Sequence, residues 1–367
     1  MGKPLTCSAL IATLAVFEAA VLVAAFGGPL QYVPNYGAEL SFLEMQVPVK
    51  DGLAWGYYSK SCPKAEQIVA ERVAAFLKKD LGVAAGLLRL PFHDCFVQGC
   101  DASILLKLPS GTELDDPANG SIRKVALDLV DDAKANIEKA CPGVVSCADI
   151  VVLAGRESIK QVGGPAFNVP LGRRDSFSFS PNTNDLPSPF FSFQQLLDAF
   201  TKKNLDATDL VALSGAHTLG VAQCASFSNR LRPTVDPKLN SKYAHYLLNT
   251  CPTDSTKATT GFDFFTPNKF DNIYYKNFAT GGTLTSSDQN LDQNAQALNL
   301  VKFYASNQTA FFNQFLWSYI KMSQIGPKFG NNGEIRRKCT TSNSGKIFPT
   351  EESDEIVSMV VDGRGSM

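Results

Sequence analysis

Cysteine content constrains the fold of this chain more than any other feature. Of nine cysteines, Cys7 lies in an apolar N-terminal segment, and an even eight remain. They are Cys62, Cys95, Cys100, Cys141, Cys147, Cys224, Cys251 and Cys339. Eight cysteines in an exported chain predict four disulfides, although the spacing alone allows about 105 connectivities. Because no C-x-x-C pattern is repeated, a structural zinc site is not expected.

The N-terminal segment indicates export. Lys3 precedes residues 5–26, which are apolar apart from a few hydroxyls and Glu18. This pattern predicts a signal peptide over residues 1–27. A segment of this length could instead remain as an uncleaved membrane anchor. Glu18 and the small residues after Ala24 favour cleavage, so we expect no membrane segment in the mature form.

Composition and periodicity predict an all-α globular protein. The chain is 44% hydrophobic and 19% charged, which suits a sizeable core. Its net charge of −1 and pI of about 6.3 give no electrostatic basis for binding nucleic acid. Apolar residues recur at helical spacing from residue 65 onward and in segments 84–96, 125–140, 146–158, 193–202, 208–216, 243–248 and 298–320. Strand signals are weak, and Asp206 and Thr208 are candidate N-caps.

The chain divides into four regions. After the signal, residues 28–53 carry three prolines and no steady periodicity, which predicts a flexible lead-in. Residues 54–341 form the folded domain. The polar, acidic residues 342–367 are predicted to be a disordered tail or a sorting extension.

An arginine four residues before a histidine, in Arg89-Leu-Pro-Phe-His93, suggests acid–base chemistry. On a helix the two side chains share one face, roughly 6 Å apart along the axis. The cation lowers the pKa of the imidazole and can stabilise negative charge that develops after proton abstraction. Without other support, the simpler interpretation would be a surface Arg/His pair.

A second histidine, His217, ends an apolar segment and follows Ser214, Gly215 and Ala216. These small residues let the backbone approach a flat ligand, and neutral imidazole is a common metal ligand. Alone, His217 would be interpreted as a hydrogen-bonded core residue. Together with the first histidine block, it becomes a candidate metal ligand.

With both blocks in view, the chain resembles the class III haem peroxidases, the secretory plant peroxidases. The matching segments are Arg89-Leu-Pro-Phe-His-Asp-Cys-Phe-Val-Gln-Gly-Cys-Asp-Ala-Ser103, Val145-Ser-Cys-Ala-Asp149, Val169-Pro-Leu-Gly-Arg-Arg-Asp175, Ser214-Gly-Ala-His217 and Ser287-Asp-Gln289. Their order and spacing match the family from about Ala54 to Cys339. The resemblance implies a two-lobed helical fold with haem b, iron protoporphyrin IX, between a distal and a proximal lobe. It also implies that hydrogen peroxide is reduced to water while small phenolic donors are oxidised one electron at a time.

On the distal side, the resemblance assigns His93 as the acid–base that moves a proton on hydrogen peroxide, and Arg89 as the cation that stabilises the leaving oxygen. Asn119 would accept from the other ring nitrogen of His93, and Phe92 would lie among the haem-binding residues. Asn119 also opens an Asn-Gly-Ser sequon. Because a glycan is incompatible with a buried hydrogen bond, we expect Asn119 to be bare and Asn307 to be the glycan site.

On the proximal side, the resemblance assigns His217 as the axial ligand of the haem iron. Asp288 would bind the other nitrogen of this imidazole and make it more basic. Pro187 matches the proline that lines the entrance for the reducing substrate. Without the resemblance, Asp288 and Pro187 would be interpreted as ordinary loop residues.

Two calcium sites follow from the density of oxygen ligands and from the resemblance. The first set is Asp94, Val97, Gly99, Asp101 and Ser103, with Glu113 acting through water. The second set is Thr218, Asp263, Thr266, Lys269 through its carbonyl, and Asp271. The resemblance also implies the disulfides Cys62–Cys141, Cys95–Cys100, Cys147–Cys339 and Cys224–Cys251. It implies a monomer that is secreted to the cell wall or extracellular space, with the vacuole as the alternative.

Pro91 departs from the family pattern, because it lies inside the helix expected to carry Arg89 and His93. A proline here loses the bond to the Leu87 carbonyl, at a cost of about 3 kcal/mol. We therefore expect a local bend that could alter how Arg89 and His93 are aimed. Lys107 is a second departure, at a position where an acidic residue is common.

Two alternatives remain open from the sequence. The scaffold could have been retained as a binding protein for cell-wall polymers, without active haem. An intracellular haem peroxidase is the other alternative, although the signal segment and the eight cysteines disfavour it.

Overall fold

The computed structural model describes residues 47–180, 182–252 and 258–343. The expected signal peptide and most of the lead-in and tail lie outside these residues. The described helices are α1 (Ala65–Leu77), α2 (Val83–Val97), α3 (Lys124–Ala140), α4 (Cys147–Gln161), α5 (Phe193–Thr201), α6 (Ala207–Ser214), α7 (Ser241–Thr250), α8 (Ile273–Thr280), α9 (Ser286–Gln289), α10 (Ala295–Ser306) and α11 (Gln308–Met322). Only β1 (Val221–Gln223) and β2 (Thr259–Gly261) form a sheet within these residues, paired antiparallel. The expected all-α class is confirmed.

Short 3₁₀ segments connect several of these helices. They are Ser103–Leu105, Glu113–Asp115, Gly215–Thr218, Cys224–Ser226, Ser228–Arg230, Asn290–Gln293 and Gly330–Asn332. The segment Gly215–Thr218 continues directly from α6 and carries His217. Asp206 is the N-cap of α6, since its carboxylate accepts from the backbone N–H of Thr208 and Asp209. Of the two candidate N-caps, Asp206 is therefore the residue that caps α6.

Two helix boundaries differ from the periodicity. The apolar pattern over residues 298–320 continues through Asn307, but the structure breaks there into α10 and α11. The side chain of Asn307 caps α11 by accepting from Ala310 N–H. Helix α8 had no predicted counterpart. It ends at Gly281, whose φ of 66° is left-handed.

Helix α2 runs through the protein core and stays continuous across Pro91. Most of its residues are buried, and it packs against α4. Gly155 on α4 permits this packing, because a Cβ there would lie 3.0 Å from Pro91 Cγ and 3.1 Å from the Leu87 oxygen. The carbonyl that Pro91 leaves without its helical donor is therefore in close contact with α4. The expected bend of α2 stays a prediction.

Four disulfides link the described residues. They join Cys62 to Cys141, Cys95 to Cys100, Cys147 to Cys339 and Cys224 to Cys251. These pairs coincide with those implied by the family resemblance. The Cys147–Cys339 bond joins the start of α4 to the end of the described chain, across 192 residues. Among the described residues, no helix is both long and apolar enough to cross a membrane.

Candidate active site

Arg89 and His93 on α2 are in direct contact. Arg89 Nε donates to His93 Nε2 at 2.8 Å, and the opposite ring nitrogen, Nδ1, lies 2.6 Å from Asn119 Oδ1. The amide of Asn119 has a fixed orientation because its Nδ2 donates to the Glu113 carbonyl at 2.8 Å. His93 therefore carries its proton on Nδ1 and a lone pair on Nε2, which points toward the arginine. Pro91 has not separated the two side chains.

Burial determines the charge states of this pair. His93 is 5% exposed. Burial, together with the charge of Arg89, lowers the pKa of His93 to about 3, although the hydrogen bond to Asn119 acts in the opposite direction. Burial also lowers the pKa of Arg89 to about 10. At neutral pH the site thus presents an uncharged base beside a permanent cation, as an acid–base catalyst for an anionic leaving group requires.

Asn119 and Phe92 complete the surroundings of His93. Asn119 is 2% exposed and both ends of its amide are hydrogen-bonded, which leaves no room for a glycan. The ring of Phe92 meets that of His93 edge-on at 5.4 Å between centroids. Asn307, by contrast, is exposed at the start of α11.

His217 lies in a different environment. Its Nδ1 is 2.7 Å from Asp288 Oδ1, and its side chain is 38% exposed. The ring of Phe262 stacks on the imidazole at 4.0 Å and 9°. A carboxylate on Nδ1 fixes the proton there and leaves the lone pair on Nε2, the arrangement of a metal-ligating histidine.

Asp288 is held as an anion by three donors. Tyr274 Oη donates to Oδ1 at 2.9 Å, Thr285 Oγ1 donates to Oδ2 at 2.6 Å, and His217 supplies the third bond. Burial raises the pKa of Asp288, but His217 and these hydrogen bonds outweigh burial, and the pKa is lowered overall. The group next to His217 is therefore a carboxylate, which strengthens the imidazole as a ligand.

The residues of the first expected calcium site are brought together around the end of α2. Asp94, Asp101, Ser103 and Glu113 are almost fully buried, and Asp94 Oδ1, Asp101 Oδ2, Ser103 Oγ and Glu113 Oε2 have no hydrogen-bond partner among the described residues. Burial raises the pKa of Asp101 to about 6 and that of Glu113 to about 7. Burial and the charge of Asp101 raise the pKa of Asp94 well above its usual value. Desolvated anionic oxygens of this kind fit a hard cation.

Backbone oxygens would have to complete this first set. No three His, Cys, Asp or Glu side chains among the described residues are placed to hold a metal ion. The expected ligands Val97 and Gly99 would contribute carbonyls, and Gly99 adopts a φ of 142° that suits glycine. Lys328 brings a cation to this set, with its Nζ 3.8 Å from Asp101 Oδ2.

The second expected set also converges. Thr218 Oγ1 and Thr266 Oγ1 each lie 3.2 Å from Asp271 Oδ1, and Thr266 Oγ1 is 2.7 Å from Asp263 Oδ2. Thr218 Oγ1 is also 3.4 Å from the Lys269 carbonyl. The amine of Lys269 lies 3.8 Å from Asp271 Oδ2, on a side chain that is 62% exposed. All five oxygen donors thus gather beside the turn that carries His217.

Pro187 is half-buried in the loop before α5. Two residues later, the Pro189 carbonyl accepts from Ser287 N–H at 2.9 Å, which ties this loop to the segment of Asp288. Within the described residues, no hydrogen bond or ring contact joins Pro187 to either histidine. Its expected role at the substrate entrance stays a prediction.

The sequence matches known proteins over most of its length. A sequence model of the family described as peroxidase matches residues 69–307. The chain is 47% identical to cationic peroxidase SPC4 of Sorghum bicolor over 305 residues, or 82% of this chain and 84% of the relative. It is 42% identical to peroxidase 12 of Arabidopsis thaliana over 320 residues, covering 85% and 89% of the two chains.

The chain belongs to the class III plant peroxidases. Peroxidase 42 of Zea mays, 46% identical over 289 residues, agrees with this assignment. The protein is therefore an oxidoreductase with hydrogen-peroxide-dependent peroxidase activity. The expected fold class and enzyme class are confirmed.

Sequence reasoning missed two of the groups that surround the peroxidase's Asp288. Thr285 stands three residues before Asp288, and this Thr-x-x-Asp pattern is a capping-box signature that could have identified it. Tyr274 follows no such pattern. The sequence presents it next to Tyr275, and only the structure shows which of the two tyrosines faces Asp288.

Proposed function

We propose that this peroxidase binds haem through His217 and uses His93 with Arg89 to activate hydrogen peroxide for the oxidation of small phenolic donors. The observation that carries the proposal is the contrast between the two histidines. Nδ1 of His93 is bound to a neutral amide oxygen in a buried site, whereas Nδ1 of His217 is bound to a carboxylate. The first environment suits a weak, uncharged base, and the second suits a strongly donating ligand.

The residues fit haem on both sides. Nε2 of His217 carries the free lone pair of a half-exposed ring, and Phe262 fixes the orientation of that ring by stacking. Haem, when bound, would supply the redox chemistry that accepts oxidising equivalents from peroxide and passes them on one electron at a time. Phe92 supplies an apolar surface beside His93.

The proton steps belong to His93 and Arg89. Peroxide would displace Arg89 Nε as the partner of His93 Nε2. This nitrogen would then take the proton from one peroxide oxygen, because the imidazole is uncharged at any pH above about 3. The same nitrogen returns that proton to the departing oxygen, which leaves as water. Arg89 stabilises the negative charge that develops on the departing oxygen, and Asn119 keeps the ring in the tautomer that both transfers need.

We propose that two calcium ions stabilise the two histidine segments. The first would be bound by Asp94, Asp101 and Ser103 with the carbonyls of Val97 and Gly99, and supported by Glu113. The second would be bound by Thr218, Asp263, Thr266, Asp271 and the carbonyl of Lys269. Asp94 and Thr218 each directly follow a histidine of the site, so each ion would fix the backbone beside one of them.

Secretion is part of the proposal. We propose that the protein is exported as a monomer that carries a glycan on Asn307. The predicted N-terminal signal and the four disulfides support export. Expression of a tagged protein with and without residues 342–367 tests the destination. Loss of vacuolar signal on truncation would indicate a sorting tail, and unchanged cell-wall signal would indicate secretion by default.

Replacing single histidines tests the haem assignment. We expect His217→Ala to abolish the haem absorption band of the purified protein, while peroxide-dependent donor oxidation is lost. The control is His245→Ala, since His245 is the third and last histidine of the chain and lies exposed on α7. Folded wild-type protein that binds no haem would favour the alternative of a wall-binding protein.

A further inference from the structure

Tyr274 is the one tyrosine among the described residues with a hydrogen bond to the carboxylate beside His217. Its hydroxyl donates to Asp288 Oδ1 at 2.9 Å, and the same oxygen accepts from His217 Nδ1 at 2.7 Å. Tyr274 and Asp288 are each 3% exposed. Water therefore does not compete for this oxygen, and the phenol and the imidazole share its charge.

The tyrosine ring is held in place by its neighbours. Tyr274 is the second residue of α8, and its ring makes edge contacts with Tyr275 at 4.9 Å and Phe278 at 5.7 Å. It also meets His217 edge-on at 6.2 Å. The hydroxyl is thus directed at Asp288 by packing, as a fixed donor requires.

Sharing one oxygen has a chemical consequence for His217. A carboxylate that accepts additional hydrogen bonds is a weaker base, since each donor withdraws part of its charge. Asp288 then pulls less strongly on the Nδ1 proton, and the imidazole keeps more of its neutral character. The electron donation of Nε2 to a bound metal falls accordingly.

We propose that Tyr274 is a positioning residue that limits how strongly Asp288 activates His217, and so sets the reduction potential of the iron that His217 would bind. This inference rests on the proposed haem ligation. Thr285 binds the other oxygen, Oδ2, and so fixes the orientation of the carboxylate. Tyr274 is the donor that competes directly with His217.

Adjacent tyrosines provide a matched test. In Tyr274→Phe, we expect the ferric/ferrous reduction potential of the haem protein to shift to a more negative value, because Asp288 recovers charge. Tyr275→Phe is the control, since Tyr275 is 1% exposed and its hydroxyl donates to the backbone oxygen of Val211 at 2.9 Å. It removes an equally buried hydroxyl from the same helix without touching Asp288, so its potential should stay unchanged.

A replacement that should shift the reduction potential in the opposite direction keeps the test informative if Tyr274→Phe folds poorly. Tyr274→3-fluorotyrosine retains the ring and makes the hydroxyl a stronger donor, so the potential should shift to a more positive value. Equal shifts in Tyr274→Phe and Tyr275→Phe, or no shift in either replacement of Tyr274, would overturn the inference while haem binding stands. A wild-type protein without haem would instead overturn the proposed function and this inference with it.

Discussion

At the scale of single residues, the partner of Nδ1 distinguishes the histidine proposed as the base, His93, from the histidine proposed as the haem ligand, His217. His93 and His217 are chemically identical side chains, and each has Nδ1 tied to an oxygen acceptor. Burial and the charge of Arg89 keep His93 weakly basic, and the neutral acceptor Asn119 opposes them only in part. The anionic Asp288 makes His217 a stronger donor. Of these two histidines, His93 is the one that accepts a hydrogen bond from Arg89. The proposed division of roles therefore rests on the surroundings of the two rings.

Removing the Arg89 charge should change the pH dependence of the peroxide step. Arg89 contributes to lowering the pKa of His93 to about 3, and only the neutral imidazole can accept a proton. In Arg89→Gln this pKa rises, so the acidic limb of the rate–pH profile moves to higher pH. The maximal rate should also fall about 10²–10³-fold, because one donor to the developing charge is lost.

The measurement is the rate of reaction with hydrogen peroxide under single-turnover conditions from about pH 3 to 8. This range covers the His93 pKa of about 3 and the ordinary histidine pKa of about 6.5. Arg89→Lys is the matched control, because it keeps the charge and should keep the acidic limb near its original position. An unchanged limb in Arg89→Gln would show that the Arg89 charge does not govern His93.

At the scale of elements, α2 depends on a close contact with α4. The proline at position 91 removes one backbone donor from α2, yet the helix is continuous and most of its residues are buried. Gly155 lets α4 approach at this point, since a Cβ here would lie only 3.0 Å from Pro91 Cγ and 3.1 Å from the Leu87 oxygen. Packing between α2 and α4 therefore compensates for the backbone N–H donor that Pro91 lacks.

Adding a methyl group at this contact should destabilise the protein. A Cβ on Gly155 would lie 2.3 Å from Tyr319 Oη and 3.0 Å from Pro91 Cγ. We expect Gly155→Ala to lower the free energy of unfolding by about 1–3 kcal/mol, as overpacking of a core does. Urea denaturation with a Gly282→Ala control checks this, because a Cβ at Gly282 meets nothing closer than 3.4 Å. Equal stability of the two variants would contradict the close contact.

The elements also show where sequence reasoning succeeds and fails. Long amphipathic segments such as α3 and α4 are predicted well, because many apolar residues repeat at one spacing. Periodicity did not detect the break at Asn307, since the apolar pattern continues through it while the side chain caps α11. Helix α8 was not predicted at all. That omission also hid Tyr274.

At the scale of the whole molecule, the site is assembled by residues far apart in the chain. Asn119 and most of the proposed calcium ligands lie outside the long helices, and Asp288 lies in the four-residue helix α9. Periodicity does not report on such positions, and the family resemblance linked them to the histidines. The structure brings each set together. The disulfides could be counted from the sequence, but their pairing could not, because spacing leaves about 105 arrangements.

The buried carboxylates near Asp94 predict a stability that depends on pH and on calcium. Burial raises the folded-state pKa of Asp101 to about 6 and that of Glu113 to about 7, above their unfolded values. In this window the folded state binds more protons than the unfolded state, so the stability of calcium-free protein falls as the pH rises from about 4 to 7.

Thermal unfolding with and without a chelator measures this dependence. Calcium should raise the melting temperature most at pH 7 and least near pH 4, where protonated carboxyl groups bind it poorly. Asp101→Asn should reduce the rise in melting temperature that calcium causes. It should also reduce the loss of stability that the calcium-free protein shows as the pH rises from about 4 to 7. A calcium effect of the same size at both pH values would contradict the assignment of these carboxylates.

His93 is proposed to be the acid–base of this haem peroxidase. Stopped-flow measurement of the reaction with hydrogen peroxide, on wild-type protein and His93→Leu at equal haem absorbance, tests it most directly. We predict that the variant keeps its haem spectrum and reacts about 10²–10⁴ times more slowly, the usual contribution of general acid–base catalysis. A rate equal to that of the wild type, at full haem content, would contradict the proposed role of His93 as the acid–base.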